Sequence, residues 1–121
     1  MIVLYNLLIF LFGAGVRIAA LFYPKATAFV TGRKDVFRHL EAAFKDNALP
    51  VVWVHCASLG EFEQGRPLIE LLKQEYPHLK ILLTFFSPSG YEVRKNYNLA
   101  DFVCYLPADT AANASRLVSI V

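Results

Sequence analysis

The sequence predicts an α/β fold in which a parallel β-sheet follows an apolar N-terminal helix. Two observations lead to this prediction. From Val51 onward, apolar strand-like runs alternate with helix-like segments, in the order strand, helix, strand, helix, strand, helix. This order is typical of right-handed crossovers that build a parallel sheet. Before that region, the segment Ile2–Val16 contains no charged residue.

The N-terminal segment is long enough to cross a lipid bilayer. Arg17 interrupts the apolar run, which then continues to Tyr23. As a helix, residues 2–23 would be about 33 Å long, close to the hydrocarbon thickness of a bilayer. The Arg17 side chain can snorkel to the nearer interface. We interpret residues 1–23 as a membrane-anchor helix, with a signal peptide and a buried core helix as the alternatives.

Residues 24–49 are predicted to be a basic juxtamembrane segment. After the apolar run come Lys25, Arg33, Lys34 and Arg38, against Asp35 alone. Such a flank predicts that the following chain lies on the cytoplasmic side of the membrane. Apolar residues from Val36 to Phe44 recur at helical spacing and predict an amphipathic helix over Asp35–Lys45. We expect its apolar face to pack on the domain, with insertion into the lipid headgroups as the alternative.

Residues 50–121 are predicted to begin an α/β domain. Strands are predicted at Val51–Cys56, Lys80–Phe85 and Asp101–Leu106. The helix after the first strand is expected to place Leu68, Leu72 and Tyr76 on its apolar face. A short helix is predicted over Tyr91–Tyr97, and a last one over Ala111–Val121. Three parallel strands make a narrow sheet, and no helix cap closes the sequence, so we expect a fragment of a longer protein.

Composition argues against several classes of function. The chain is 56% hydrophobic, and its formal net charge of +2 is too small to indicate nucleic-acid binding. Cys56 and Cys104 fall in predicted strands, where inert buried thiols are expected rather than a disulfide. His39 and His55 have no metal-ligand spacing with these cysteines. No glycine-rich phosphate loop is present, and no cofactor or metal is expected.

The first candidate site is the turn Ala57–Gly60 with Glu61 after it. In open α/β sheets, ligands bind beyond the carboxyl ends of the strands, where helix N-termini favour anions. A carboxylate at this place therefore has either a functional role or a capping role. Because Ser58-x-x-Glu61 is a capping-box pattern, the residues alone favour the cap. The turn also resembles a hydrolase nucleophile elbow, but Cys56 replaces its first glycine and no suitable histidine follows.

Two further polar turns follow the second and third strands. Ser87-Pro88-Ser89-Gly90 offers hydroxyl and backbone N–H groups that can hold a phosphate or a sugar hydroxyl. Asp109 lies in the turn after the third strand. Each turn is alternatively an ordinary helix cap. Because the carboxyl ends of parallel strands share one edge, the three turns are expected to lie together.

Several motifs together resemble the Kdo transferases, bacterial enzymes that attach 3-deoxy-D-manno-octulosonic acid (Kdo) to the lipid A precursor. They are W-V-H-C-A-S-L-G-E-F-E-Q (Trp53–Gln64), R-P-L-I-E-L-L-K-Q-E-Y-P (Arg66–Pro77), T-F-F-S-P-S-G-Y-E (Thr84–Glu92) and L-P-A-D (Leu106–Asp109). The apolar N-terminus followed by Gly32-Arg33-Lys34 is similar to the family's anchor and basic flank. This sequence departs from the pattern at Cys56, at two phenylalanines and at two serines, Phe85, Phe86, Ser87 and Ser89.

The resemblance implies an inner-membrane glycosyltransferase of the two-domain GT-B type, with its catalytic part on the cytoplasmic side. This chain would be the first part of the N-terminal, Rossmann-like acceptor domain, and the donor CMP-Kdo would bind mainly to a C-terminal domain outside it. The partners implied are CMP-Kdo, the lipid A precursor (lipid IVA) and the membrane, with no nucleic acid.

The resemblance also assigns roles to single residues. Glu61 corresponds to the general base of an inverting transfer. Ser58 and Gly60 would shape its turn, and Ser87, Ser89 and Gly90 would contact the acceptor. Arg33, Lys34 and Arg38 would meet anionic headgroups or acceptor phosphates, or act only as a positive flank. The fragment alone is expected to be inactive, and the alternative is a membrane-anchored α/β binding module in which Glu61 only caps its helix.

Overall fold

Three strands form one parallel sheet, and helices cover both of its faces. The computed structural model describes residues 1–121. Its elements are α1 (Ile2–Ala19), α2 (Pro24–Gly32), α3 (Val36–Phe44), β1 (Val51–Cys56), α4 (Leu59–Glu75), β2 (Lys80–Phe85), α5 (Pro88–Arg94), β3 (Phe102–Tyr105) and α6 (Ala111–Ile120). The strand order is β1-β2-β3, and both pairs are parallel. The predicted α/β fold with a parallel sheet and an apolar N-terminal helix is confirmed.

The register of the sheet brings all three strand ends to one edge. Cys56 at the end of β1 pairs with Phe85 of β2, and Phe85 pairs with Tyr105 of β3. We call this side of the sheet the carboxyl edge. The turns that follow β1, β2 and β3 therefore lie side by side, as the sequence predicts.

Two apolar clusters hold the helices on the sheet. The α3–α6 face buries Val36, Leu40, Phe44, Leu82, Cys104 and Leu117. The α4–α5 face buries Cys56, Phe62, Ile69, Ile81, Leu83 and Phe85. The apolar stripe of α3 thus packs on the domain and not in a lipid headgroup layer, which confirms the expectation for this helix. Both cysteines are buried and free.

Several predicted helices differ from the observed ones. On α4, Leu68 and Tyr76 are exposed, and the buried side chains are Phe62 and Ile69, seven residues apart. The prediction of an apolar Leu68–Leu72–Tyr76 face was wrong for Leu68 and Tyr76. The sheet lies against the face of Ile69, where Leu72 also packs, and Leu68 is rotated by about 100° from Ile69 around the helix axis. The short helix α5 begins at Pro88 instead of Tyr91, since proline is favoured in the first turn of a helix.

The basic segment contains a helix that the sequence analysis missed. Residues 24–32 form α2, and the preceding Tyr23 is extended. A residue before proline avoids the helical region, so Pro24 separates α2 from the apolar helix. For this reason α1 ends at Ala19, four residues before the predicted end at Tyr23.

α1 lies against the carboxyl edge. Phe12 packs on Phe29 of α2 and on Phe86 after β2, with ring centroids 5.9 and 6.3 Å apart. The hydroxyl of Tyr5 donates to the carboxylate of Asp109, in the turn after β3. No residue of α1 is buried, and the helix is long and apolar enough to cross a membrane. The same properties occur in signal sequences.

Arg33 ties α2 to the carboxyl edge. Its guanidinium donates to the carbonyl oxygens of Leu106 (2.9 Å), Phe86 (2.9 Å) and Phe29 (3.0 Å). It also lies over the Phe29 ring, 3.5 Å from the centroid. Burial lowers the pKa of Arg33 to about 10, so the side chain stays charged at neutral pH. Arg33 is therefore a structural residue at this edge and does not extend as part of a free basic flank.

Asp101 fixes the opposite end of the sheet. Its carboxylate accepts hydrogen bonds from the ammonium groups of Lys73 (2.8 Å) and Lys80 (3.0 Å), and from the backbone N–H of Ile81 (2.8 Å). Burial of Asp101 opposes its ionisation, but these three hydrogen bonds together lower its pKa below the ordinary 3.8. The C-terminal part of α4 is thereby joined to the start of β2 and β3.

We predict that Arg33→Met destabilises the protein by roughly 1–3 kcal/mol, because three main-chain carbonyls lose their donor. Urea unfolding in detergent would measure the change in the free energy of unfolding. Lys34→Met is the matched control, since the Lys34 side chain is exposed and makes no hydrogen bond; we expect a change within about 0.5 kcal/mol. Equal stability of the two variants would contradict the structural role of Arg33.

We predict that Asp101→Asn destabilises the protein by about 1–3 kcal/mol at neutral pH. Because folding lowers the pKa of Asp101, the stability that its ionised form contributes is present above pH 3.8 and is lost as the pH falls through the lower folded value. The difference between wild type and variant should therefore shrink in acid. The control is Asp46→Asn, since Asp46 is exposed and unbonded. A difference that does not change with pH would argue against the charged form as the source of the stability.

Candidate functional site

A hydroxyl side chain caps each of the three helices that begin at the carboxyl edge. Ser58 Oγ accepts from the Glu61 N–H (3.3 Å), Ser87 Oγ from the Ser89 N–H (3.3 Å), and Thr110 Oγ1 from the Asn113 N–H (3.2 Å). These bonds satisfy N–H groups that have no partner within their own helix. The three predicted polar turns are therefore helix starts that share one edge.

The first two turns are bonded directly to each other. The Ser87 N–H donates to the Ala57 carbonyl (2.9 Å). Gly90 is buried at this junction, and a Cβ on it would lie 2.6 Å from the Phe85 ring and 3.1 Å from the Leu59 nitrogen. Gly90 thus lets the start of α5 approach the start of α4. Gly90 faces the protein interior, whereas Ser89 is exposed. The hydroxyl oxygens of Ser89 and Ser87 lie 2.7 Å apart.

Glu61 is exposed and held by one hydrogen bond. Its Oε2 accepts from the Ala57 N–H at 2.6 Å, while its own N–H donates to Ser58 Oγ. The carboxylate thus reaches the N–H of the residue before the cap, a variant of the capping box. Oε1 has no hydrogen-bond partner in the protein. The result is an oriented carboxylate with one oxygen open to solvent, which can accept a proton from a bound hydroxyl group.

Gly60 is not required by the local packing. A Cβ on it would meet only Ser58 Oγ, at an ordinary 3.8 Å. Gly60 is exposed at the start of α4, next to Glu61 in the chain.

The hydrolase alternative finds no support at this turn. The Ser58 hydroxyl is engaged in the helix cap, and no histidine contacts it. Burial and the nearby Glu61 carboxylate both raise the pKa of the Cys56 thiol, so Cys56 stays protonated. Neither side chain is an activated nucleophile.

The departures from the family pattern place aromatic rings at the second turn. Phe85 is buried in the α4–α5 face. The ring of Phe86 packs edge-on against the ring of Phe29, with centroids 5.2 Å apart, and also contacts Phe12 of α1. Phe85 therefore belongs to the core, whereas Phe86 holds α1 and α2 on the domain, and neither side chain has a polar role.

Sequence reasoning missed the contribution of Gly32 and Arg33 to this edge. A Cβ on Gly32 would overlap the Tyr105 ring, so only glycine allows α2 to lie against the end of β3. Arg33 then reaches the carbonyls after β2 and β3. The sequence signal for this contact was the adjacent pair Gly32-Arg33 at the end of a helix, since glycine permits close packing and arginine can donate to several carbonyls.

Comparison with known proteins agrees with this arrangement. A sequence profile of the family described as 3-deoxy-D-manno-octulosonic-acid transferase (kdotransferase) matches residues 28–121. A curated 3-deoxy-D-manno-octulosonic acid transferase of Haemophilus influenzae is 38% identical over 71 residues, which cover 58% of this chain and 17% of that protein. One from Aquifex aeolicus is also 38% identical over 71 residues, covering 58% of this chain and 19% of that protein.

The chain spans less than a fifth of the length of these curated relatives. No solved structure matches it significantly. The profile match nevertheless covers most of the chain, including all three turns of the carboxyl edge. This chain therefore belongs to the 3-deoxy-D-manno-octulosonic-acid (Kdo) transferase family.

Proposed function

We propose that the protein containing this chain transfers Kdo from CMP-Kdo to the lipid A precursor, with Glu61 as the general base. The observation that carries the proposal is the exposed carboxylate of Glu61, oriented by the Ala57 N–H and open at Oε1. It lies at the carboxyl edge, where ligands of open α/β sheets bind. The names of the two relatives support Kdo as the transferred group.

The reaction needs one base on the acceptor side. An acceptor hydroxyl oxygen attacks the anomeric carbon of Kdo and forms the new glycosidic bond. The bond from that carbon to the CMP phosphate breaks, and CMP leaves with the electron pair. The hydroxyl proton passes to Glu61, and direct displacement inverts the anomeric centre. The donor would bind mainly to residues outside this chain.

The remaining predicted residues have supporting roles in this proposal. Ser58 caps α4 by accepting from the Glu61 N–H, and so fixes the backbone at Glu61. Gly60 adds no side chain next to Glu61 in the chain, and Gly90 brings the second turn beside the first. The exposed Ser89, with Ser87 beneath it, is the part of the second turn that can hydrogen-bond to an acceptor.

A second candidate function is a non-catalytic, membrane-anchored binding module. The observation that favours it is the capping geometry, because both hydrogen bonds of Glu61 serve the start of α4. If Glu61 acted only as a cap, its open Oε1 and the polar turns beside it would have no function, which argues against this candidate. The two functions predict different effects of a neutral side chain at position 61. Transfer activity falls if Glu61 is the general base, whereas nothing is lost if Glu61 only caps α4.

α1 is proposed to lie in the membrane surface and not to cross the bilayer. Tyr5 and Phe12 are about 10 Å apart along the helix, and both contact turns of the carboxyl edge. A crossing α1 with these contacts would draw the polar carboxyl edge into the hydrocarbon. Lying flat, α1 exposes Leu4, Leu8 and Leu11 to lipid, at 62%, 56% and 54% exposure. This orientation places the carboxyl edge near a lipid-borne acceptor.

We predict that Glu61→Gln lowers kcat/KM for Kdo transfer by roughly 10²–10⁴, the usual contribution of a general base. The glutamine oxygen can still accept from the Ala57 N–H, so the helix cap and the stability should persist. The assay uses the complete protein with CMP-Kdo and lipid A precursor, and thermal unfolding checks the fold.

Glu75→Gln is the matched control for this substitution, because Glu75 is an exposed residue of the same helix without a hydrogen bond. We expect it to keep wild-type activity. A Glu61→Gln enzyme that is as active as this control would leave Glu61 as a helix cap only. A folded wild type without transfer would favour the binding module.

We predict that Ile2→Cys is labelled by a membrane-impermeant thiol reagent from the same membrane side as Lys34→Cys. If α1 lies in the surface, its start and the domain stay on one side. The measurement compares right-side-out and inverted vesicles, with the buried Cys56 and Cys104 as an unreactive background. Labelling of Ile2→Cys from the opposite side would indicate a spanning helix.

A further inference from the structure

A cavity of about 220 Å³ lies between β1 and the start of α6, on the α3–α6 side of the sheet. Trp53 and His55 of β1 line one wall, and residues 106–109 with Asn113 line the other. The cavity and the Glu61 turn are linked through β1, because His55 lies two residues before Ala57, whose N–H holds Glu61. Neither the capping network nor the proposed base uses His55.

Hydrogen bonding fixes the proton position on His55. The Thr84 hydroxyl is fully buried and has two partners, Trp53 Nε1 at 2.9 Å and His55 Nδ1 at 3.0 Å. The indole N–H can only donate, so Thr84 Oγ1 accepts from Trp53. The single hydroxyl proton then has one available acceptor, His55 Nδ1. If His55 donated instead, a buried hydroxyl proton would be left unpaired, which is unfavourable.

In its neutral form, His55 therefore carries its ring proton on Nε2. Nδ1 faces Thr84 of β2, so Nε2 lies on the far side of the ring, where it has no hydrogen-bond partner in the protein. The side chain lines the cavity and is exposed. The result is an oriented N–H donor, held in place by a fully buried threonine.

The cavity wall indicates the chemistry of a ligand. No lysine or arginine lines it, and Asp109 adds negative charge, so an anionic group is disfavoured. The Trp53 ring is 41% exposed and offers an apolar surface beside the His55 donor. An aromatic face next to a few directed polar groups suits a neutral, hydroxylated ring.

We propose that His55 binds the acceptor by donating its Nε2–H to an oxygen of a sugar ring, and that Trp53 and Thr84 position it. This proposal rests on the proposed function, because the acceptor is the sugar-bearing ligand. Asp109 at the far wall is bonded to Tyr5 of α1. The cavity thus lies beside the helix that is proposed to contact lipid.

Substitutions that keep a polar group at only one of the two ring-nitrogen positions of His55 test the binding role in the complete protein. His55→Asn keeps an oxygen near Nδ1 for the Thr84 hydroxyl but removes the donor at Nε2. We expect KM for the acceptor to rise roughly three- to tenfold, as for the loss of one hydrogen bond, with little change in kcat or in KM for CMP-Kdo. His55→Gln, whose amide group reaches the Nε2 position, should restore most of the affinity. The control is His39→Asn, since the His39 side chain is exposed and makes no hydrogen bond.

Nitrogen-15 NMR of histidine-labelled protein tests the tautomer independently of transfer. At alkaline pH, with the His55 signals assigned by their loss in His55→Asn, we expect a protonated Nε2 and an unprotonated Nδ1. Thr84→Val should mix the two tautomers, whereas Thr84→Ser should keep the wild-type form. Adding lipid A precursor in micelles should shift the Nε2 resonance.

Three results would overturn parts of this proposal, and each is distinct. A wild-type His55 protonated at Nδ1 overturns the tautomer assignment. An unchanged acceptor KM in His55→Asn, with wild-type transfer intact, overturns the binding role alone. Absence of transfer by the wild type overturns the proposed function, and an Nε2 resonance that the lipid A precursor leaves unshifted then excludes His55 as a binding residue as well.

Discussion

The guanidinium of Arg33 joins three main-chain segments that no other side chain brings together. It donates to carbonyls of α2, of the turn after β2 and of the turn after β3. The carbonyls of Phe86 and Leu106 lie just beyond the ends of β2 and β3, where the strand pairing has stopped, so a donor from elsewhere satisfies them. Gly32 makes the approach possible, since its missing side chain leaves room for the Tyr105 ring. This connection holds α2 on the turns after β2 and β3, and α1 packs on the same place through Phe12, Phe29 and Phe86.

In the proposed function, Glu61 combines a structural and a chemical role in one short turn. Its Oε2 holds the Ala57 N–H, which fixes the carboxylate relative to β1 and leaves Oε1 open. A base must be oriented before the substrate arrives, because reorientation during the reaction would cost free energy. The helix cap supplies that orientation. Capping and catalysis are therefore compatible at this residue, although the sequence pattern presents them as competing interpretations.

The two faces of strand β1 have different environments. Cys56 faces the apolar α4–α5 side, whereas His55 faces the cavity and Thr84. Successive strand residues point to opposite faces, so one short strand can close the core and supply a polar donor. Thr84 is the only buried polar residue in the core, and its hydroxyl has a partner on either side, Trp53 and His55. A buried hydroxyl with all of its hydrogen bonds satisfied holds its neighbours in one arrangement.

The sequence by itself determined the parallel sheet, the bounds of β1 and β2 and the meeting of three polar turns at one edge. These features follow from local patterns: β-branched apolar runs, Ser58-x-x-Glu61, and the alternation of strands with helices. Only the tertiary structure decided which face of α4 is buried, since Leu68 and Phe62 are equally apolar in the sequence and differ only in where the sheet lies. It also decided that Arg33 bonds carbonyls 53 and 73 residues away and that Thr84 joins Trp53 to His55. Such contacts depend on chain segments that meet only after folding, so no local pattern of residues encodes them.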